Sequence, residues 1–213
     1  MKVRFWYIKA YDSIFEEMYR LKQYEAQQSW LPGFKNPDYT EEKIRQYMDN
    51  LKQWREGREE MIINMIEEIF GSPFKKKYIV CHCVWYYHKF AWLSHPLTVC
   101  VWSNKDIDVT WSTLIHELLH IKIEEDIDTY RLFRDQLMTL YGYNEDIISH
   151  ILIFAIQDMI EQKYLKNNIM ARTRAGFKTA DKMGFYSIAM DFVDKKSSKN
   201  VLKLYQDLRD KTI

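Results

Sequence analysis

Two histidines four residues apart enclose a glutamate in the stretch His116-Glu117-Leu118-Leu119-His120. On an α-helix this spacing places both imidazoles on one face, one turn apart, so both can reach a single metal ion. Glu117 then lies beside the ion without being needed as a ligand, and it can accept a proton from a water molecule that the metal has made more acidic. The pattern predicts a Zn²⁺ site with His116 and His120 as ligands and Glu117 as general base.

The segments before this motif favour the metal interpretation over an ordinary amphipathic helix whose two histidines make core or surface contacts. Residues 96–102 are predicted to form a strand, residues 106–110 a polar turn, and residue 111 onward a helix. Asp108, Thr110 or Ser112 could each be the N-cap of that helix. A strand that leads into the metal-binding helix is the order that this chemistry favours.

The positions around the motif resemble the extended motif of the zincin metallopeptidases. That family has a small or β-branched residue at the position of Thr113 and a hydrophobic residue at the position of Lys122. Lys122 is the one position that departs from the pattern. The positions that the family keeps uncharged are occupied by Leu114, Leu118, Leu119 and Ile121.

This resemblance implies a fold and an activity. It implies an α+β fold, with a helix-rich zincin-like domain, a small mixed sheet next to the metal-binding helix, and N-terminal and C-terminal helices. It also implies a zinc-dependent metallopeptidase that acts on a peptide or protein. The alternative is a zincin-like metal-binding regulatory or interaction protein without peptidase activity.

The third ligand must come from elsewhere, because catalytic zinc sites usually have three protein ligands. Residues 144–167 are predicted to form a helix that is apolar almost all round and therefore buried. Its polar side chains Asp146, His150, Gln157 and Glu161 gather into one stripe, which in a buried helix needs a polar partner. His150 is the first choice for the third zinc ligand.

Four acidic residues are alternatives to His150 as the third ligand. Glu161 lies roughly 16 Å further along the same helix, so the two cannot bind one ion. Glu145 and Glu161 lack the acidic residue four positions later that the gluzincin branch carries. Asp126 has the metzincin spacing without the glycine that precedes that ligand, and Asp128 is a further choice.

Composition and patterning predict one compact domain of three segments. These are an N-terminal helical segment (1–70), a zincin-like core (71–167) and a basic C-terminal helical segment (168–213). We expect helices over 10–29, 40–70 and 126–141, strands over 78–85 and 96–102, and a third strand near Phe90. The strand over 98–102 is the expected sheet edge on which a substrate peptide would add.

Several classes of partner are disfavoured. The chain has no apolar run of 18 residues and no recognisable signal peptide, and its three cysteines fit a reducing compartment, so we expect a cytoplasmic location and no membrane contact. Cys81-His82-Cys83 is more typical of a packed strand than of a metal site. Residues 163–213 carry 12 Lys and Arg against 5 Asp and Glu, a net +7, but a solvated helical surface explains this better than nucleic-acid binding. The oligomeric state stays open.

Two features of the predicted peptidase are not settled by the sequence. The group that stabilises the oxyanion could be the hydroxyl of Tyr130, Tyr141, Tyr143 or Tyr186. Either terminal segment could cover the cleft, because the chain is longer than a minimal zincin site requires.

Overall fold

The computed structural model describes residues 1–7, 9, 40–84, 93–94, 96–100, 107–165, 174–175 and 183–211. These residues form a helix-rich α+β fold, as predicted, with one four-stranded sheet. The predicted helix over 10–29 lies outside the described residues. The strands are β1 (Lys2–Tyr7), β2 (Tyr78–Val84), β3 (Leu93–Ser94) and β4 (Leu97–Cys100). The helices are α1 (Glu41–Arg55), α2 (Glu59–Phe70), α3 (Ile107–Glu125), α4 (Ile127–Tyr141), α5 (Glu145–Tyr164), α6 (Phe185–Lys196) and α7 (Ser198–Arg209).

The sheet is mixed, as predicted, with strand order β1-β2-β4-β3. Strands β1, β2 and β4 are parallel, and β3 pairs antiparallel with β4. Alternate side chains of β1 and β2 point to the core, so Cys81 and Cys83 are buried together on one face of β2. This confirms that the two cysteines pack in the core.

Three predictions about these elements are wrong. The first third of the chain is not purely helical, because Val3 and Phe5 alternate with exposed residues in β1. Residues 40–70 form two helices, since the chain turns at residues 56–58 with Gly57 at a φ of 75°. Strand β4 is not an edge of the described sheet, because Thr98 pairs with β2 on one side and with Leu93 of β3 on the other.

Helices α3 and α5 lie at the centre of the molecule. Both are buried along most of their length, as expected for helices with little amphipathic character, and they pack against each other. Helix α5 begins where the sequence predicted, because the side chain of Asn144 accepts a hydrogen bond from the Ile147 amide at 2.9 Å. The predicted N-caps of α3 are wrong: Asp108, Thr110 and Ser112 all lie within the helix, which begins at Ile107.

The C-terminal helices complete the core around α5. Helix α6 and helix α7 pack against α5, and α7 also contacts α2 and α4. Tyr205 of α7 donates a hydrogen bond to the carboxylate of Asp126, at the turn between α3 and α4. Arg209 donates to the carbonyl oxygens of Glu68 and Ile69, at 3.2 and 2.9 Å, and so satisfies the end of α2. The last helix therefore joins elements that are distant in sequence.

None of the helices in the described ranges has the length and the apolar character that crossing a membrane would require.

Candidate metal centre

Three imidazoles meet between the two central helices. Helix α3 supplies His116 and His120, and α5 supplies His150. Ring centroids are 5.1 Å apart for His116–His120, 5.4 Å for His116–His150 and 5.1 Å for His120–His150. One nitrogen of each ring lies within 4.8 Å of the others. The three side chains form a nearly equilateral triangle.

This triangle fits a metal ion. A tetrahedral zinc with Zn–N distances of roughly 2.0–2.1 Å separates its ligand nitrogens by roughly 3.4 Å, and the three nitrogens, all within 4.8 Å of one another, lie near that spacing. His116 and His150 are buried, whereas His120 is partly exposed. His120 is therefore the most exposed of the three histidines.

The hydrogen bonds of His150 fix the nitrogen that it offers. Its Nδ1 lies 2.6 Å from the carbonyl oxygen of Asp146, one turn earlier in α5. A carbonyl oxygen only accepts, so Nδ1 must carry the proton and Nε2 keeps its lone pair. This tautomer is one that binds a metal through Nε2.

His116 has a different hydrogen-bond partner on α5. Its Nδ1 lies 3.2 Å from Oε1 of Gln157, which is itself buried. Burial, and then the neighbouring His120 and His150, lower the pKa of His116 well below its usual value. The ring is therefore neutral at neutral pH, which is the form that binds metal.

Glu117 is buried next to His116 in the chain, with 8% of its surface exposed. Burial raises the pKa of this carboxyl to about 8. A base whose pKa lies near the working pH is well matched to proton transfer. A carboxyl that can exchange a proton near neutral pH therefore directly follows one of the three histidines in the chain.

Two of the alternative ligands are engaged elsewhere. Glu161 accepts hydrogen bonds from Ser112 and Gln157. Gln157 in turn contacts His116, so Glu161 is connected to the three-histidine group only through Gln157. Asp126 accepts the hydroxyl hydrogen bond of Tyr205. Neither carboxylate belongs to the three-histidine group.

The other two alternatives lie on the surface. The side chain of Glu145 is 62% exposed, and its carboxylate is 3.7 Å from the guanidinium of Arg134. The side chain of Asp128 is 91% exposed and lies 3.5 Å from Arg131. His150 is thus the predicted third ligand that the structure brings to His116 and His120.

One of the four candidate tyrosines lies against the histidines. The ring of Tyr186, on α6, meets the ring of His150 edge to face, with centroids 4.5 Å apart. Tyr130 is buried and lies close to the backbone of α5, whereas Tyr141 and Tyr143 stack on each other at 5.7 Å. Tyr186 is the tyrosine whose ring contacts the metal-site group.

The sequence did not reveal the role of Ser112. Its position in the sequence predicts only a helix cap, yet its hydroxyl donates to Glu161 and its carbonyl accepts from Gln157 at 3.1 Å. The signal was present, because Ser112 lies four residues before His116 and so shares its helix face.

Comparison of the chain with protein-family models, with curated proteins and with solved structures found no match.

Proposed function

We propose that the chain is a zinc-dependent metallopeptidase of the zincin type. His116, His120 and His150 hold the ion, and Glu117 is the general base. The observation that carries this proposal is the convergence of a histidine from α5 on the histidine pair of α3. A chance match to the five-residue motif gives no reason for a third imidazole to lie within 4.8 Å of the pair.

Zinc is the metal that these donors favour. Three imidazole nitrogens suit zinc better than calcium or magnesium, which prefer oxygen ligands. Three protein ligands leave a fourth position open, as in catalytic zinc sites. When bound, the ion supplies a Lewis acid for the scissile carbonyl and makes a water molecule acidic enough to attack it near neutral pH.

The chain's own residues supply the remaining steps. Glu117 takes the proton from the attacking water and delivers it to the amine that leaves when the peptide bond breaks. Tyr186, whose ring contacts His150, would keep its hydroxyl proton and donate a hydrogen bond from it to the carbonyl oxygen as negative charge develops there. The partly exposed side at His120 is where a peptide would enter.

A metal-binding regulatory or interaction protein is the alternative function. The same three histidines would serve it, but a structural metal site needs no buried carboxyl with a pKa near neutrality. Glu117 therefore favours the peptidase.

Replacement of Glu117 by Gln tests the choice between the two functions. The variant should bind one zinc per chain while hydrolysis of a denatured protein substrate falls about 10²–10⁴-fold, because the general base is lost. Glu124→Gln is the matched control: this residue is exposed on the same helix, and its replacement should change neither property. Zinc content by mass spectrometry and release of labelled peptides are the measurements.

The other results have equally clear meanings. His150→Ala should lose both zinc and hydrolysis. Wild-type protein that holds zinc but cleaves neither native nor denatured proteins would favour the regulatory function. Wild-type protein that takes up no zinc on reconstitution would exclude both functions.

A further inference from the structure

A group of buried polar side chains contacts His116 without belonging to the three-histidine group. Gln157 and Glu161 of α5 meet Ser112 of α3, and all three are almost fully buried. The oxygen of the Gln157 amide faces Nδ1 of His116 at 3.2 Å. The group thus connects one metal-site imidazole to the opposite helix.

The contacts of Gln157 allow one orientation of its amide. The amide nitrogen lies 2.7 Å from Oε1 of Glu161, 2.8 Å from Oγ of Ser112 and 3.1 Å from the carbonyl oxygen of Ser112. The carbonyl oxygen can only accept, and the hydroxyl of Ser112 already donates to Glu161. The nitrogen must therefore face these oxygens, and the amide oxygen must face His116.

This orientation determines the tautomer of His116. The amide oxygen only accepts, so it requires a proton on Nδ1 of His116 and leaves the Nε2 lone pair for a metal. Rotating the amide by half a turn would place its oxygen against two other acceptors and its NH₂ group against His116. The rotated amide would be higher in free energy, because these atoms are buried and no water can replace the lost hydrogen-bond partners.

We propose that Gln157 is a positioning residue of the metal centre. It holds His116 as the Nδ1–H tautomer with Nε2 available to the ion, and Ser112 and Glu161 lock its amide in the required orientation. The inference rests on the metal-binding part of the proposed function and is independent of peptide hydrolysis.

Replacement of Gln157 by Leu removes the acceptor while keeping a side chain of similar size. The zinc dissociation constant should rise about 10–100-fold, as expected when the hydrogen-bond partner of a ligating histidine is lost. In the metal-free protein, nitrogen NMR of His116 should change from a dominant Nδ1–H form to a mixture of tautomers. Gln162→Leu, at an exposed position of the same helix, is the matched control and should change neither measurement.

A second pair of variants tests separately whether Glu161 orients the amide of Gln157. Glu161→Gln keeps an oxygen that accepts from the Gln157 amide, so zinc affinity should stay close to that of wild type. Glu161→Leu removes that oxygen and should weaken zinc binding in the same direction as Gln157→Leu. This pair decides the question even if Gln157→Leu does not fold.

Two results would overturn the inference. One is a folded Gln157→Leu protein with wild-type zinc affinity and an unchanged His116 tautomer. The other is equal zinc affinity in Glu161→Leu and Glu161→Gln. Failure of the proposed function is distinguishable, because the His116 tautomer is measured in the metal-free protein and does not depend on zinc or on hydrolysis.

Discussion

Glu117 has a cost in stability that accompanies the catalytic role proposed for it. Burial raises its pKa from 4.5 to about 8, so the folded chain disfavours the ionised carboxylate that a general base requires. Groups that lower the stability of a fold and have a perturbed pKa are often functional. This residue can therefore be tested by stability as well as by activity.

We expect Glu117→Gln to stabilise the metal-free protein at pH 8 relative to wild type. Between pH 4.5 and about 8 the folded wild-type chain binds more protons at this carboxyl than the unfolded chain, so the free energy of unfolding falls as pH rises. Gln cannot ionise. The free energy of unfolding of the variant, relative to that of wild type, should therefore increase by up to about 4 kcal/mol between pH 4.5 and pH 8. Urea denaturation at several pH values measures this difference.

The lowered pKa of His116 makes the free energy of unfolding rise with pH below pH 6.5, which is opposite to the effect of Glu117. Because both proteins contain His116, this contribution cancels and the difference between them reports Glu117 alone. A stability difference that does not change with pH would mean that the Glu117 carboxyl has an ordinary pKa in the folded chain.

The contacts of Lys122 explain why a lysine stands where the resembled zincin motif has a hydrophobic residue. Its ammonium group donates to Oγ of Ser72 at 2.9 Å and to the carbonyl of Pro73 at 3.1 Å. It also lies over the rings of Phe70 and Phe74. The ammonium group of Lys122 thus links α3 to the segment that follows α2.

At the scale of elements, α5 carries a polar stripe in an otherwise apolar helix. His150, Gln157 and Glu161 recur at helical spacing and face α3, where they meet the histidines and Ser112. Apolar residues around the rest of α5 pack against α6 and α7. The helix is therefore held on all sides, which suits it to position ligands.

Helix α6 contributes to the same site, and we expect Tyr186→Phe to separate binding from catalysis. Loss of the hydroxyl should lower kcat about 10²–10³-fold, by analogy with other oxyanion donors, while zinc content is retained because the ring still packs on His150. Steady-state kinetics and zinc content are the measurements. Tyr141→Phe, at a partly exposed position on α4, is the matched control and should leave kcat unchanged.

An unchanged kcat in Tyr186→Phe would remove this hydroxyl from the mechanism and leave its ring as a packing contact of His150.

At the scale of the whole molecule, the C-terminal helices belong to the core that holds the site. Helices α6 and α7 bury apolar side chains against α5 and its neighbouring helices. A buried Val, Leu, Phe or Met side chain contributes about 1.5–3 kcal/mol, so the five of these types in α6 and α7 together are comparable to the whole stability of a domain, about 5–15 kcal/mol. The buried side chains of the two helices are Ala189, Met190, Phe192, Val193, Val201, Leu202 and Tyr205.

A chain that ends at residue 182 should therefore lose both cooperative unfolding and zinc binding. Circular dichroism during heating and zinc content measure the two effects, and a chain that ends at residue 211 is the control. A truncated chain that unfolds sharply and holds one zinc would show instead that residues 183–213 form a separate unit.

The helix that carries His116, Glu117 and His120 was predictable from the sequence, because the spacing of residues on one helix face depends only on local geometry. The same holds for α5, whose apolar composition and polar stripe predicted a buried helix with a polar partner. The failures have the opposite cause, because they concern elements that depend on contacts distant in sequence. Strand β1 was missed because a strand of six residues is stabilised by its pairing with β2, which is distant in sequence.

The tertiary structure alone decided which side chains meet. Helical spacing puts Glu161 and His150 in the same stripe, and only the packing of α5 on α3 brings His150 to the histidine pair and Glu161 to Ser112 and Gln157. It likewise brought Tyr186 to His150 from a helix in the last third of the chain. The physical reason is that contacts between helices depend on how whole surfaces pack, whereas spacing within one helix depends on the backbone alone.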